Sequence, residues 1–508
     1  MSENVEVGKF TLESLTTGMY EQPLIVYREY LQNAADSLEE ALRAHVITER
    51  DMRVTISIDS GERIIEVFDN GIGIKAELAG AILLSIGSSR KTHTVSRGFR
   101  GIGRLGGISY CDRLEFETTA FDEPIGTKVV FDCAKLKALM LPGESSDMSM
   151  QEVVSSSSHL ESFSASAEDH YFIVRMIGVD ERTRLLDEEA VACYLSQTAP
   201  LAYSPYFSML SSHIYAFLRE YGVKLTEFPV TLSFDGGRPK ALTKAFQRRY
   251  TAGRGKDADQ DAIYEIETFS ITSDQDELVA LGWYAKGSWL GTLKDDSIRG
   301  LRLRKGNIQI GDEHTLDAIF KQARFNGWTQ GEVFVLSDEL IPNARRDNFE
   351  QNTAFFSLIE SLRQSIGSDI SDRIVEASRT RNDPVQKAVK TANALIHSVE
   401  EKQQTGFNSH DEAESARADV EASLQRLSRM RTSRPEVQQV QQETVQQLSG
   451  VLATMDEDPT RYKVDRLRGV ISKKEKKILQ VVTDVVTKYI DEPVLSHIID
   501  EIINSISD

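Results

Sequence analysis

Apolar residues at Leu24, Tyr27, Leu31, Ala34, Ala35 and Leu38 recur at helical spacing. Two runs of strict alternation follow, at 53–59 and 63–69, joined across Ser60 and Gly61. The pattern predicts a helix packed on a β-hairpin, because a period near 3.6 places one face of a helix on a core and a period of two does the same for a strand. After a glycine-rich section, strands are expected at 113–119 and 127–132, a serine-rich surface loop or weak helix at 145–166, a strand at 171–179 and a helix at 187–196. Pro200 and Pro205 mark a boundary, so the first α/β domain is placed at 1–204.

Mixed patterning resumes beyond it. Strand-like runs stand at 230–234, 301–310 and 332–336, and helix-like runs at 207–221 and 315–322, which gives a second α/β domain over 205–351. From 352 to 508 helix formers dominate, interrupted at Pro384, Pro435, Pro459 and Pro493. An all-α region is expected there, bundled near 413–448 and ending in an amphipathic pair at 470–490 and 494–506.

Composition changes this picture little. A length of 508 residues suits several cores, and 40% hydrophobic with 27% charged residues is ordinary for a folded chain. No run of about 18 apolar residues appears, and the first ten residues lack a basic stretch followed by an apolar one. No membrane association and a cytoplasmic site are therefore expected. Cys111, Cys133 and Cys193 are distant in sequence and without CxxC spacing, and are read as buried small apolar residues rather than a disulfide or zinc framework. The net charge of −19 opposes general attraction to nucleic acid, although local basic clusters occur at Arg248-Arg249, Arg254 with Lys256, 426–434 and 466–477.

Four elements carry candidate chemistry. Glu29 and Asn33 lie four apart on the first helix, so a carboxylate able to orient and deprotonate water shares a face with an amide oxygen able to ligate Mg²⁺. Taken alone, such a pair is also what a solvated helix shows. Asp69, Gly71 and Gly73 follow a strand directly. Glycines there let the backbone approach a flat ligand while the Asp69 carboxylate accepts from an exocyclic amine; a hairpin turn is the competing reading. Gly98, Gly101 and Gly103 are spaced GxxGxG, suited to converging N–H groups on an anion, without the Lys-Ser/Thr ending of a P-loop. Between them lies the polar stretch 86–92, a candidate closing loop with Ser88 and Lys91 as nucleotide contacts. Thr127, after Gly126, opens a strand and is a candidate to share a hydrogen bond with Asp69, or is there for β propensity.

In that order the four elements resemble the GHKL (gyrase, heat-shock chaperone, histidine kinase, MutL) ATPase superfamily over about the first 200 residues. The resemblance implies a two-layer α+β sandwich with a Bergerat pocket for ATP and Mg²⁺, with Glu29 as catalytic base and Asn33 as metal ligand. Residues 17–20 and 25–37 look like the start of the ninety-kilodalton heat-shock chaperones (bacterial HtpG-type). Residues 298–312 are similar to that family's middle-domain strand, and 336–347 to the loop that delivers an arginine to the γ-phosphate. By that match Arg346 is the catalytic arginine, with Arg345 the fallback if the register slips by one. The family further implies a homodimer through the C-terminal helices and a protein client. The stretches 194–203 and 88–91 resemble the microrchidia ATPases about as well, which keeps a DNA-associated clamp, in genome or phage defence, as the alternative.

Overall fold

The computed structural model describes residues 22–85, 103–141, 148–253, 258–432, 434–457, 461–467, 471–486, 498–499, 501–503 and 505. They form two compact units, 1–374 and 375–508, with mixed α/β structure in the first and helices in the second.

The first helix, α1 (Ile25–Arg43), buries Tyr27, Leu31, Ala34, Ala35 and Leu38 as its periodicity requires, and it also buries Arg28, Glu29, Gln32 and Asp36. A helix covered on its polar side as well needs partners for those groups, and the site below supplies several of them. Strands β1 (Val54–Asp59) and β2 (Ile64–Asp69) pair antiparallel, with Val54, Ile56, Ile58, Ile65 and Val67 buried. Then come α2 (Ala76–Leu83), a 3₁₀ segment (Gly103–Tyr110), β3 (Arg113–Thr119), β4 (Ile125–Asp132), α3 (Cys133–Met140), α4 (Met150–Ser156), β5 (Ser158–Ser164), β6 (Tyr171–Ile177), α5 (Glu188–Thr198), α6 (Ser208–Glu220), β7 (Val230–Phe234) and β8 (Lys240–Ala241). The sheet order is β5-β4-β3-β6-β2-β1-β7-β8. One face packs under α1. The other is an ion-paired open face, where Arg175 reaches Glu66 at 2.6 Å and Glu117 at 2.7 Å.

Three departures from the pattern have local causes. The sheet runs past the boundary expected at residue 204, because β7 pairs in parallel with β1. The serine-rich stretch is ordered as α4 and β5. A capping box between Ser149 and Glu152 starts the helix, and β5 takes its hydrogen bonds from β4 at the sheet edge. Cys111 and Cys133, distant in sequence, lie with their sulfurs 3.9 Å apart in the core, whereas Cys193 is exposed on α5, so the expectation of three buried cysteines holds for two.

Beyond β8 lie the hairpin β9 (Arg249–Ala252) and β10 (Asp259–Ala262), then β11 (Glu265–Thr272), β12 (Leu278–Lys286), β13 (Gly300–Lys305), β14 (Ile308–Ile310) and β15 (Gln330–Val335). The last five make a second sheet in the order β11-β12-β15-β13-β14. The run 301–310 breaks into two strands because Gly306 and Asn307 both take positive φ, 57° and 61°, forming a tight hairpin turn. The helix expected at 315–322 shrinks to a 3₁₀ turn, Asp317–Ile319. Helices α7 (Thr353–Leu362) and α8 (Ser368–Asn382) follow, joined by a π-helical turn.

In the second unit α9 (Pro384–Thr405), α10 (His410–Arg429) and α11 (Pro435–Glu457) form an antiparallel three-helix bundle around Val385, Val389, Ala392, Ile396, Val420, Leu427, Val437 and Leu448. Side chains cap the starts of α9 and α10: Asp383 accepts from Val385 N, and Ser409 from Glu412 N. Helix α12 (Lys473–Val486) follows. No helix among the described residues is long and apolar enough to cross a membrane.

Candidate functional site

Glu29, Asn33 and Ser37 occupy successive turns of one face of α1, a stripe of about 12 Å at 1.5 Å per residue. At one end the 3₁₀ segment presses in: a Cβ built on Gly103 would stand 2.1 Å from Glu29 Oε2. At the other end a Cβ on Gly71 would stand 2.0 Å from Ser37 Oγ and 2.7 Å from the Ser37 carbonyl carbon. At Gly71 a side chain would collide with backbone, whereas at Gly103 it would displace the end of the Glu29 side chain. Gly73 has φ +67°, and a side chain there would meet the Thr119 carbonyl oxygen at 1.9 Å.

Asp69 ends β2 and is buried, with Oδ1 accepting from Gly71 N at 2.9 Å. The chain after it does not turn back as a hairpin. Asn70 ties itself to the entry of β1, accepting from Arg53 N and donating to Asp51 O, and the path continues into α2. Ile72 N donates to Ser37 O, Ile74 N donates to Thr118 Oγ1, and His170 Nδ1 lies 2.9 Å from Gly71 O. The segment is thus clamped between α1 and the sheet.

Thr127 does not fit the hydrogen bond expected of it. Cross-strand register aligns Thr127, Thr118, Phe172 and Asp69 in one row, so two strands, β3 and β6, intervene. Three strand spacings amount to about 14 Å, too far for a shared bond. Thr127 is buried, and its hydroxyl has no hydrogen-bond partner among the described residues. Sequence order placed β4 near β2, but β6 enters between them.

Arg346 is buried at the tip of the loop after β15, in a left-handed conformation (φ 56°), with Nε 2.9 Å from Glu29 Oε1. Such a backbone costs a non-glycine residue about 1 kcal/mol and is held here by surrounding bonds. Arg346 N donates to Asn343 O, Gly311 N donates to Arg346 O, and Asn343 Nδ2 donates to Asp347 Oδ1. Arg345 is exposed, and of the two candidates it is the Arg346 side chain that pairs with Glu29.

Arg28 was not singled out by the sequence. It is 4% exposed, and its two terminal nitrogens donate to the carbonyls of Arg345 (3.0 Å) and Arg346 (3.3 Å). It therefore fastens the arginine loop to α1, one residue from Glu29. The only sequence signal was a charged residue flanking a motif on a helix rich in apolar positions. Ser37 and His170 were missed likewise, since their roles follow from backbone approach. Arg104 donates to Ser85 O, and burial lowers its guanidinium to about 10.

The structure thus brings Glu29, Asn33, Asp69, Gly71, Gly73, Gly103 and Arg346 around α1. Ser88, Lys91, Gly98 and Gly101 lie outside the described residues. No known protein-family model matches the chain.

Beside this site a polar cleft of about 560 Å³ lies between α1, α5 and the arginine loop, lined by Arg28, Tyr194, Gln309, Asp312 and Arg345 among others. Behind it, Glu332 on β15 is fully buried. Its carboxylate receives Lys244 Nζ at 3.0 and 3.2 Å, Trp283 Nε1 at 3.2 Å, Tyr203 Oη and Arg304 Nε. Arg304 also donates to Gln197 O at the end of α5 (2.7 Å), fixing the connection between the two sheets. Burial opposes ionisation of Glu332, but Arg304 and Lys244 outweigh it and hold the carboxyl at about 2. Burial, helped by Arg304, lowers Lys244 to about 8 despite Glu332.

Proposed function

We propose that the chain binds ATP with Mg²⁺ and hydrolyses it slowly to drive a conformational clamp, in the manner of the GHKL ATPases and of the ninety-kilodalton heat-shock chaperones among them. One observation carries the reading. A buried carboxylate, an amide one turn on, two glycines forced against the same helix face and an arginine from a separate sheet's loop converge on α1, although they are spread over more than 300 residues.

The donor set fits the ligands. Asn33 is half-buried on the stripe and offers an oxygen for a hard cation, with the phosphates and water completing its shell. The bound Mg²⁺ would neutralise charge on the phosphates. Asp69 presents a buried carboxylate suited to an exocyclic amine, and the backbone at Gly71 and Gly73 leaves no side chain in the way. Glu29 acts as the base that orients and deprotonates water. Arg346 stabilises charge on the transferred phosphoryl group. It pairs with Glu29 in the present arrangement, so a γ-phosphate competes with that carboxylate for the guanidinium and frees it as the base. Because Arg346 stands on the second sheet's loop, its engagement couples nucleotide state to the relation between the two sheets.

The same reading makes the protein a homodimer through its C-terminal helices, acting on a protein client. It is supported by Ile478, Val481, Val482 and Val485, which stand exposed in one stripe along α12, while Leu479 and Val486 pack inward.

ATP turnover and nucleotide binding measured on Glu29→Ala and Asp69→Asn test the site. Glu29→Ala is expected to keep binding while hydrolysis falls roughly 10²–10⁴-fold. Asp69→Asn is expected to lose binding, since its amide presents a donor to the adenine amine. Tight ATP binding by Asp69→Asn removes the pocket assignment, and unchanged turnover by Glu29→Ala removes the base.

A further inference from the structure

We propose that the end of the α9–α11 bundle at the α10–α11 turn is a docking surface for the phosphate backbone of double-stranded nucleic acid, read without regard to sequence. The inference stands on the second unit alone and is independent of the ATPase reading.

The topology gathers cations there that the sequence spreads over more than fifty residues. Helices α9 and α11 run parallel and α10 antiparallel to both, as Gln403 to Thr454 at one end and Gln441 to the Leu427 carbonyl at the other require. The end of α8, the first turns of α9, the last turn of α10 and the α10–α11 connection therefore share one end of the bundle. They contribute Arg379, Lys387, Lys390, Arg426, Arg429 and Arg431, all exposed, and the half-buried Arg434. Arg434 pairs with Glu376 at 3.7 Å, holding the connection against α8. The carboxylates at this end are Glu376, Asp383 and Glu436, and Asp383 is engaged in capping α9.

The sign of this patch is opposite to that of the chain, whose net charge is −19. Any polyanion that settles there must do so against the repulsion of the remainder. A duplex, with one phosphate per 1.7 Å of axis, offers the charge density for this, and releases condensed counterions as it binds. Five of the seven cations are arginines, whose planar fork matches phosphate oxygens. Phe407 is the only Phe, Tyr or Trp of residues 375–457, and it is buried at the far end of the bundle, so no Phe, Tyr or Trp stacking platform for unpaired bases accompanies the patch. Among the described residues of α9–α11, Val440 is the exposed large apolar side chain, which gives no face to insert into a bilayer.

The test is fluorescence anisotropy of the full chain with a labelled random-sequence duplex over a salt series. It compares wild type with R426Q/R429Q/R431Q and with a control, K473Q/K474Q/K477Q, that removes three exposed lysines of α12. These are surface positions, and circular dichroism checks that each variant keeps its helices. Expected is binding whose log affinity falls linearly with log salt, a slope shallower by about 0.9 for each arginine removed, and a control close to wild type. The proposal is overturned if wild type does not bind at low salt, if the arginine variant binds with an unchanged slope, or if the lysine control loses as much. It is overturned equally if wild type binds anionic vesicles and not the duplex, or if low salt doubles its mass without any duplex binding, which would make the patch a seat for another copy's acidic surface.

Discussion

Replacing Glu332 by glutamine probes the junction that fixes the two sheets of the first unit. The carboxylate is fully buried and faces only donors: Lys244 Nζ, Arg304 Nε, Tyr203 Oη and Trp283 Nε1. Glutamine keeps the shape but turns an NH₂ group toward them and leaves two buried cations without a counter-charge. Breaking a buried pair in this way costs about 3–5 kcal/mol. With an unfolding entropy of about 2.1 cal/mol/K per residue over about 350 residues, that loss lowers the melting temperature of the first unit by about 4–7 °C. Differential scanning calorimetry at pH 6 measures it. The cost shrinks at pH 9, because Lys244, already lowered to about 8 by burial and Arg304 with Glu332 in place, falls further without it and sheds its proton. Lys244→Met added to Glu332→Gln is expected to recover part of the loss, a coupling that a double-mutant cycle isolates. A melting temperature for Glu332→Gln within a degree of wild type at pH 6 would refute the reasoning, since it would mean the network carries no net charge balance.

The wild-type network also sets pH dependence. Glu332 has a folded pKa of about 2 against an ordinary 4.5, so its contribution is complete above about pH 4.5 and is lost as pH falls toward 2; Glu332→Gln should flatten that limb of a denaturant-midpoint profile. Arg28→Ala removes both of its bonds to the arginine loop and leaves the Arg346–Glu29 pair, and faster amide exchange at residues 343–347 is expected, with unchanged protection there counting against the clamp. Gly103→Ala would push the Glu29 carboxylate by more than 1 Å, and because Arg346 pins that group, the proposed ATP turnover should drop by roughly 10²-fold with the melting temperature little changed; normal turnover separates Gly103 from the proposed chemistry. In the second unit Leu448→Ala opens a fully buried site and should cost about 2–5 kcal/mol, read from the urea midpoint of the helical signal.

Much of the fold was legible because period and burial coincide. Alternation at 53–59 and 63–69 has one physical solution, a hairpin with one face covered, and the residues 24, 27, 31, 34, 35 and 38 have another, the buried stripe of α1. Glycines at 71, 73 and 103 were expected to let the backbone approach a ligand; in the fold each lies close against the protein itself, at Ser37, Thr119 and Glu29. What failed depended on neighbours distant in sequence. The serine-rich stretch has little pattern of its own and becomes β5 because β4 offers an edge. Thr127 was assigned by proximity in sequence, whereas sheet order is set by which strand enters between others, and β6 arrives from beyond residue 170.

Sequence alone thus determined most of the elements and the apolar faces, which follow from local period; Glu29, Asn33 and Asp69 stood as candidates by functional group and spacing, and Arg346 by the resemblance of 336–347. Tertiary structure decided which of them meet. Arg346 stands on Glu29 and Arg345 does not, Arg28 holds the loop in place, and seven scattered cations share one end of a bundle. Such contacts join positions tens to hundreds of residues apart, and no local rule of spacing encodes a distance that only packing of the whole unit creates.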